Sequence, residues 1–120
     1  MKLAAIDHVQ LAIPPGGEDK ARTFYCGLLG LGEVPKPPEM AKRGGAWFEN
    51  AAVKVHVGVE AEFVPARKAH PAFVVEELET LLAACAAQGI AVRPAEGAGG
   101  FRRFHIDDPF GNRIEIMEKL

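Results

Sequence analysis

Three imidazoles and one carboxylate can hold a divalent first-row metal, and His8, His56, His70 and Glu115 supply that set in this chain. Two histidines and one carboxylate with open positions would also suit non-haem Fe(II) chemistry. Glu115 poses the question most sharply. It stands between Ile114 and Ile116 in "GNRIEIME". Such alternation belongs to a strand whose isoleucines enter a core while the glutamate looks out from the opposite face. A lone histidine on a strand is usually a packing residue, so the case rests on where the other ligand-type residues stand.

The elements that must position them come in two rounds. "IDHVQLAI" (6–13) alternates, with Val9, Leu11 and Ile13 on one face and His8, Gln10 and Ala12 on the other. The turn "PPGG" follows, then a helix over "EDKARTFYCGLLG", with acids leading and Gly30 past its end. The Pro-rich "VPKPPEMAKRGG" reads as a loop, and "AWFEN" (46–50) with "VKVHVGVE" (53–60) as a hairpin. The second round opens on "HPAFVV" (70–75). Its helix, "EELETLLAACAAQG", carries a Leu78, Leu81, Leu82, Cys85 stripe and closes at Gly89. A short strand "IAVRP", a glycine-rich rim "AEGAGG" and a hairpin of "FRRFHI" (101–106) with "RIEIME" (113–118) complete it.

The rounds repeat. His8 and His70 are 62 residues apart, and both open a first strand; Gly30 and Gly89 are 59 apart, as are His56 and Glu115. A duplicated βαβββ unit accounts for this, with module 1 over about 4–60 and module 2 over about 68–118 of a single 1–120 domain. The fold class expected is α+β: two βαβββ modules forming a curved mixed sheet with the helices on its outer face.

Each helix must bury its stripe on an aliphatic sheet face, which leaves the polar faces concave. His8, Gln10, Lys54, His56, His70, Arg113, Glu115 and Met117 then share the concave side. Pairing Ile106 with Ile114 in the core also pairs His105 with Glu115, and adds Arg103 and His105. Trp47 and Glu49 join if Phe48 faces the helix. Gln10, Trp47, Lys54, Arg103 and His105 are the expected substrate-pocket residues, with His105 open to a substrate, supporting or packing role.

Composition limits the partners. The chain has 120 residues, 48% hydrophobic and 25% charged, with net charge −2. No basic run exceeds Arg102-Arg103, which argues against nucleic acid and anionic membranes. No apolar stretch reaches membrane-spanning length, and the N-terminus lacks the pattern of a signal peptide. With two cysteines, Cys26 and Cys85, both in expected helices, a cytoplasmic location is expected.

"IDHVQLAI" with "FYCGLLGLG", "HPAFVV" and "DDPFGNRIEI" resembles the vicinal oxygen chelate superfamily: glyoxalase I, methylmalonyl-CoA epimerase, extradiol dioxygenases, and the fosfomycin and bleomycin resistance proteins. The resemblance covers nearly the whole chain, and "DP-x-G-N-x-I-E" is its most specific piece. It implies paired βαβββ modules and a divalent metal ion (Zn, Ni, Mn or Fe). His8, His70 and Glu115 match the ligands of fosfomycin-resistance enzymes. His56 falls where glyoxalase I supplies a fourth ligand, usually glutamate. It further implies a homodimer with sites at the subunit interface, where His8 and His56 of one copy meet His70 and Glu115 of the other. No cluster of arginines for glutathione is obvious.

The function expected is a metal-dependent glyoxalase-type enzyme that chelates a small oxygenated metabolite through two neighbouring oxygens, with Glu49 or Glu115 as general base. An Fe(II)-dependent extradiol-type dioxygenase and a metal-free, drug-sequestering binding protein are the alternatives.

Overall fold

The computed structural model describes the backbone of all 120 residues and every side chain except that of Ala98. The chain divides into two compact units, Met1–Val64 and Pro65–Leu120. In the first, β1 (Val9–Ile13) leads to α1 (Glu18–Arg22), which continues as a π-helical turn over Thr23–Leu28. Then come β2 (Gly32–Val34), α2 (Pro38–Ala41), β3 (Ala46–Glu49) and β4 (Lys54–Val59). The second unit holds β5 (Ala72–Val74), α3 (Leu78–Ala87), β6 (Arg93–Ala98), β7 (Phe101–Asp107) and β8 (Arg113–Lys119). Each unit builds its own four-stranded sheet, ordered β1-β4-β3-β2 and β5-β8-β7-β6, so the repeat is a repeat of topology. In each, the first strand lies parallel to the last, and the remaining pairs are antiparallel.

Alternation sorts the side chains. In the first sheet Leu11, Ile13, Ala46, Phe48, Val55 and Val57 are buried together with Phe24 and Tyr25 of the helical segment. Tyr25 stacks on Phe48 at 5.7 Å between ring centroids, so Phe48 faces the helix and Trp47 and Glu49 face away. In the second, Ile106, Ile114, Ile116, Leu78 and Cys85 form the buried set. On that apolar face Glu118 of β8 accepts from Leu78 N–H at 3.0 Å, capping α3, and Arg102 pairs with Glu79 at 3.0 Å. Gly89 closes α3 with φ +70°, a conformation that disfavours any side chain.

Ile106 pairs with Ile114 and His105 with Glu115, as the hydrophobic alternation predicts. The "DPFGN" turn holds that register. Buried Asp108 accepts at Oδ1 from Phe110 N–H and Asn112 N–H and at Oδ2 from Asn112 Nδ2, all at 2.9 Å. Asn112 Oδ1 accepts from Ala66 N–H. Gly111 takes φ +93° to close the turn. Two segments differ from expectation. β2 leads into the Pro-rich stretch and α2 lies within it, with Pro38 opening the helix, a position where a missing N–H costs nothing. The glycine-rich rim is largely strand: β6 runs to Ala98 with a pairing irregularity after Ala95, and only Gly99 and Gly100 turn.

Candidate metal centre

The two sheets present their polar faces differently. In the second unit, His70, His105 and Glu115 bring one ligand atom each to within 4.8 Å of the others. His105 reaches Glu115 through the direct β7–β8 pairing, and His70 precedes β5, whose Ala72 lies beside Glu115. His70 Nδ1 donates to the Lys68 carbonyl at 2.8 Å, which leaves Nε2 pointing at Glu115 Oε1, 2.9 Å away. A carbonyl on one ring nitrogen is the usual way a ligand imidazole is oriented. His105 Nε2 lies 3.6 Å from the same Oε1. It is buried, and among the described residues it has no hydrogen-bond partner.

Glu115 is itself buried, 5% exposed. Arg103 Nε donates to its Oε2 at 2.7 Å, while Arg103 Nη1 donates to the Glu96 carbonyl at 2.6 Å. The Arg103 hydrogen bond, aided by His70 and opposed by burial, holds the Glu115 carboxyl down at about 2. The carboxylate is therefore anionic at any ordinary pH, with one oxygen engaged by arginine and the other turned to the two imidazoles. Burial pushes the His105 imidazole down, toward the neutral form that ligates metal. These donors fit a divalent cation: two nitrogens, one anionic oxygen, one oriented ring and one orphaned nitrogen.

In the first unit His56 lies between two rings. Trp47 stacks on it at 4.1 Å and 3°, and His8 at 4.2 Å and 19°. His56 is 5% exposed, and among the described residues its Nε2 has no hydrogen-bond partner. The nearest carboxylate, Glu49 Oε2, is 3.9 Å off, beyond a hydrogen bond. Burial, then the neighbouring His8, pushes the His56 imidazole down. His8 Nδ1 and Asp7 Oδ2 lie 2.9 Å apart, a contact that lowers the Asp7 carboxyl. His8, His56, Gln10, Trp47, Glu49 and Lys54 border one cavity of about 260 Å³. Met40 of α2 also borders it, unread in the sequence because its segment carries no helical stripe.

All the expected site residues thus stand on the polar sheet faces: His8, Gln10, Trp47, Glu49, Lys54 and His56 in the first unit, and His70, Arg103, His105 and Glu115 in the second. His105, which falls off the repeat pattern, sits inside the ligand cluster.

The Glyoxalase/Bleomycin resistance protein/Dioxygenase superfamily model matches residues 5–116. A solved glyoxalase family protein from Bacillus anthracis is 45% identical, covering 100% of this chain and 98% of that one, with TM-score 0.93. A glyoxalase/dioxygenase from Nostoc punctiforme shares 21% identity over 92% and 89%, TM-score 0.73. The fosfomycin resistance protein FosX from Listeria monocytogenes shares 14% over 99% and 96%, TM-score 0.78, a likeness of fold. A comparison with curated proteins gave no match.

Proposed function

The chain belongs to the Glyoxalase/Bleomycin resistance protein/Dioxygenase superfamily, and we propose that within it the protein is a metal-dependent, glyoxalase-type enzyme acting on a small oxygenated metabolite. The observation that carries this reading is the cluster of His70, His105 and Glu115, three ligand atoms within 4.8 Å around a buried carboxylate. A divalent ion held there would act as a Lewis acid toward two neighbouring substrate oxygens. The chain's own residues do the rest. Arg103 fixes Oε2 of Glu115 and so presents Oε1 for ligation. The Lys68 carbonyl fixes the His70 ring. Glu49, at the edge of the first unit's cavity, is the group assigned to accept a substrate proton. His8 and His56 are assigned as further ligands, supplied by the first module of a second copy in a homodimer.

The two-histidine, one-carboxylate donor set also supports an Fe(II) dioxygenase as a second reading. Elemental analysis of protein purified without a tag separates these readings. Zinc, nickel or manganese near one equivalent per chain is the expected result. Iron, with oxygen uptake on a catechol, would favour the dioxygenase. Protein that carries no metal and gains no thermal stability from any added divalent ion at pH 7.5 would overturn both, in favour of a metal-free binding protein. Sedimentation should give a mass of two chains; a strict monomer with full metal occupancy would exclude the cross-subunit ligands.

A further inference from the structure

Beside the ligand cluster, on the same sheet face, lies a second cavity of about 360 Å³, bordered by Arg67, Arg93, Asp107, Gly111 and Arg113. The strand register explains why three arginines distant in sequence meet. Arg93 of β6 pairs with His105 of β7, and Asp107 of β7 pairs with Arg113 of β8, two residues before Glu115. Arg113 N–H bonds the Ala66 carbonyl at 2.9 Å, which brings Arg67 to the rim. The charges do not cancel. Asp107 is taken by Arg93 in a two-pronged ion pair, at 3.1 and 2.8 Å. Among the described residues, no ion pair or hydrogen bond engages the side chain of Arg67 or Arg113. Two guanidinium groups therefore border a concave space with no paired anion among the described residues.

We propose that this cavity binds a doubly charged oxyanion, the phosphate-type group of the substrate. Two unbalanced cations match a dianion in charge, and paired N–H forks match its oxygens in geometry. Residues two apart on a strand are about 7 Å apart, so Arg113 and Glu115 set the anion and the chelating oxygens within reach of one short-chained metabolite. The substrate class is then a small phosphorylated hydroxy- or oxo-compound. The assignment of that anion to a substrate rests on the metal-dependent reading, whereas the anion site itself does not.

Calorimetric titration of the full chain with inorganic phosphate, and with acetate at matched ionic strength, tests it. Phosphate should bind at one site per chain and acetate at least about tenfold more weakly, because it brings one charge instead of two. Arg67→Gln and Arg113→Gln should each weaken phosphate by about tenfold or more. Arg43→Gln, which removes an exposed charge from the first unit, should leave it unchanged. Arg67 is exposed, so its variant keeps the test intact should Arg113→Gln misfold. Absence of phosphate binding, equal affinity for acetate, or equal weakening by Arg43→Gln would overturn the proposal. Glu115→Gln separates the two readings: it should lose metal affinity and keep phosphate, and a phosphate site without any metal site would sink the proposed function alone.

Discussion

Each module sets two histidines and a glutamate on the polar face of its sheet, yet the two faces are bonded in different ways. The cross-strand slot that holds Trp47 opposite His56 in the first sheet holds His105 opposite Glu115 in the second. In the first, the partner is an indole, so the imidazole stacks and keeps an orphaned nitrogen. In the second, the partner is a carboxylate, and a network of Arg103, Glu115 and His70 grows around it at 2.7–2.9 Å. The repeat delivers the same positions twice. The pair that occupies one cross-strand slot then decides between a pocket walled by stacked rings and a charged centre.

The turns differ as well, and there the largest effect is expected. Asp108 accepts three hydrogen bonds in a buried turn, whereas the equivalent hairpin of the first module relies on exposed Asn50, which accepts from Ala52 N–H and Val53 N–H at 2.8 Å. Asp108→Ala should cost about 3 kcal/mol in denaturant unfolding, since it orphans buried donors. Asn50→Ala should cost under about 1 kcal/mol, because water replaces what is lost. Equal costs would erase the contrast.

Acid should act on the charged module next. The Glu115 carboxyl is held at about 2 in the fold against an ordinary 4.5. A depressed carboxyl contributes stability above its unfolded value and loses it as pH falls toward the folded one. The contribution is on the order of 3 kcal/mol for a side chain this buried. Unfolding measured stepwise from pH 5 downward should therefore steepen in the wild type and flatten in Glu115→Gln.

The smallest effect belongs to the stacked module. Burial lowers the His56 imidazole, so the unfolded chain takes up its proton first as pH falls through about 6.5. Stability of the metal-free protein should drop between pH 7 and pH 5, and His56→Phe, which keeps a ring between Trp47 and His8, should reduce that drop. An unchanged slope would mean that His56 is not the group responsible.

Much of this was legible in the sequence where a period of two governs. Placing Ile106, Ile114 and Ile116 in the core restricts the register to steps of two, and the "DPFGN" turn selects Ile106–Ile114, from which His105–Glu115 follows. Gly30 and Gly89 marked both helix ends because each takes a positive φ. β2, just before the Pro-rich segment, and α2, inside it, stayed hidden because their three and four residues are too short to show any period. Glycines disguised the end of β6, which is set by its partner β7. Among site residues, the concave set was readable by parity. The arginine cavity was not, since Arg67 lies in a connection whose placement depends on the Asn112 side chain and the Arg113 backbone.

The central claim, that the charged cluster of the second module is where a metal is held, is tested most directly by titrating metal-free wild type, Glu115→Gln, His70→Ala and Trp47→Leu with zinc at pH 7.5, with affinity read by calorimetry. Removing the anionic ligand or the oriented imidazole should weaken binding at least about tenfold, the scale on which even supporting residues act. Trp47→Leu, which alters the stack around His56 and touches no residue of the His70, His105 and Glu115 cluster, should weaken binding less than either. Wild-type affinity in both Glu115→Gln and His70→Ala would contradict the assignment.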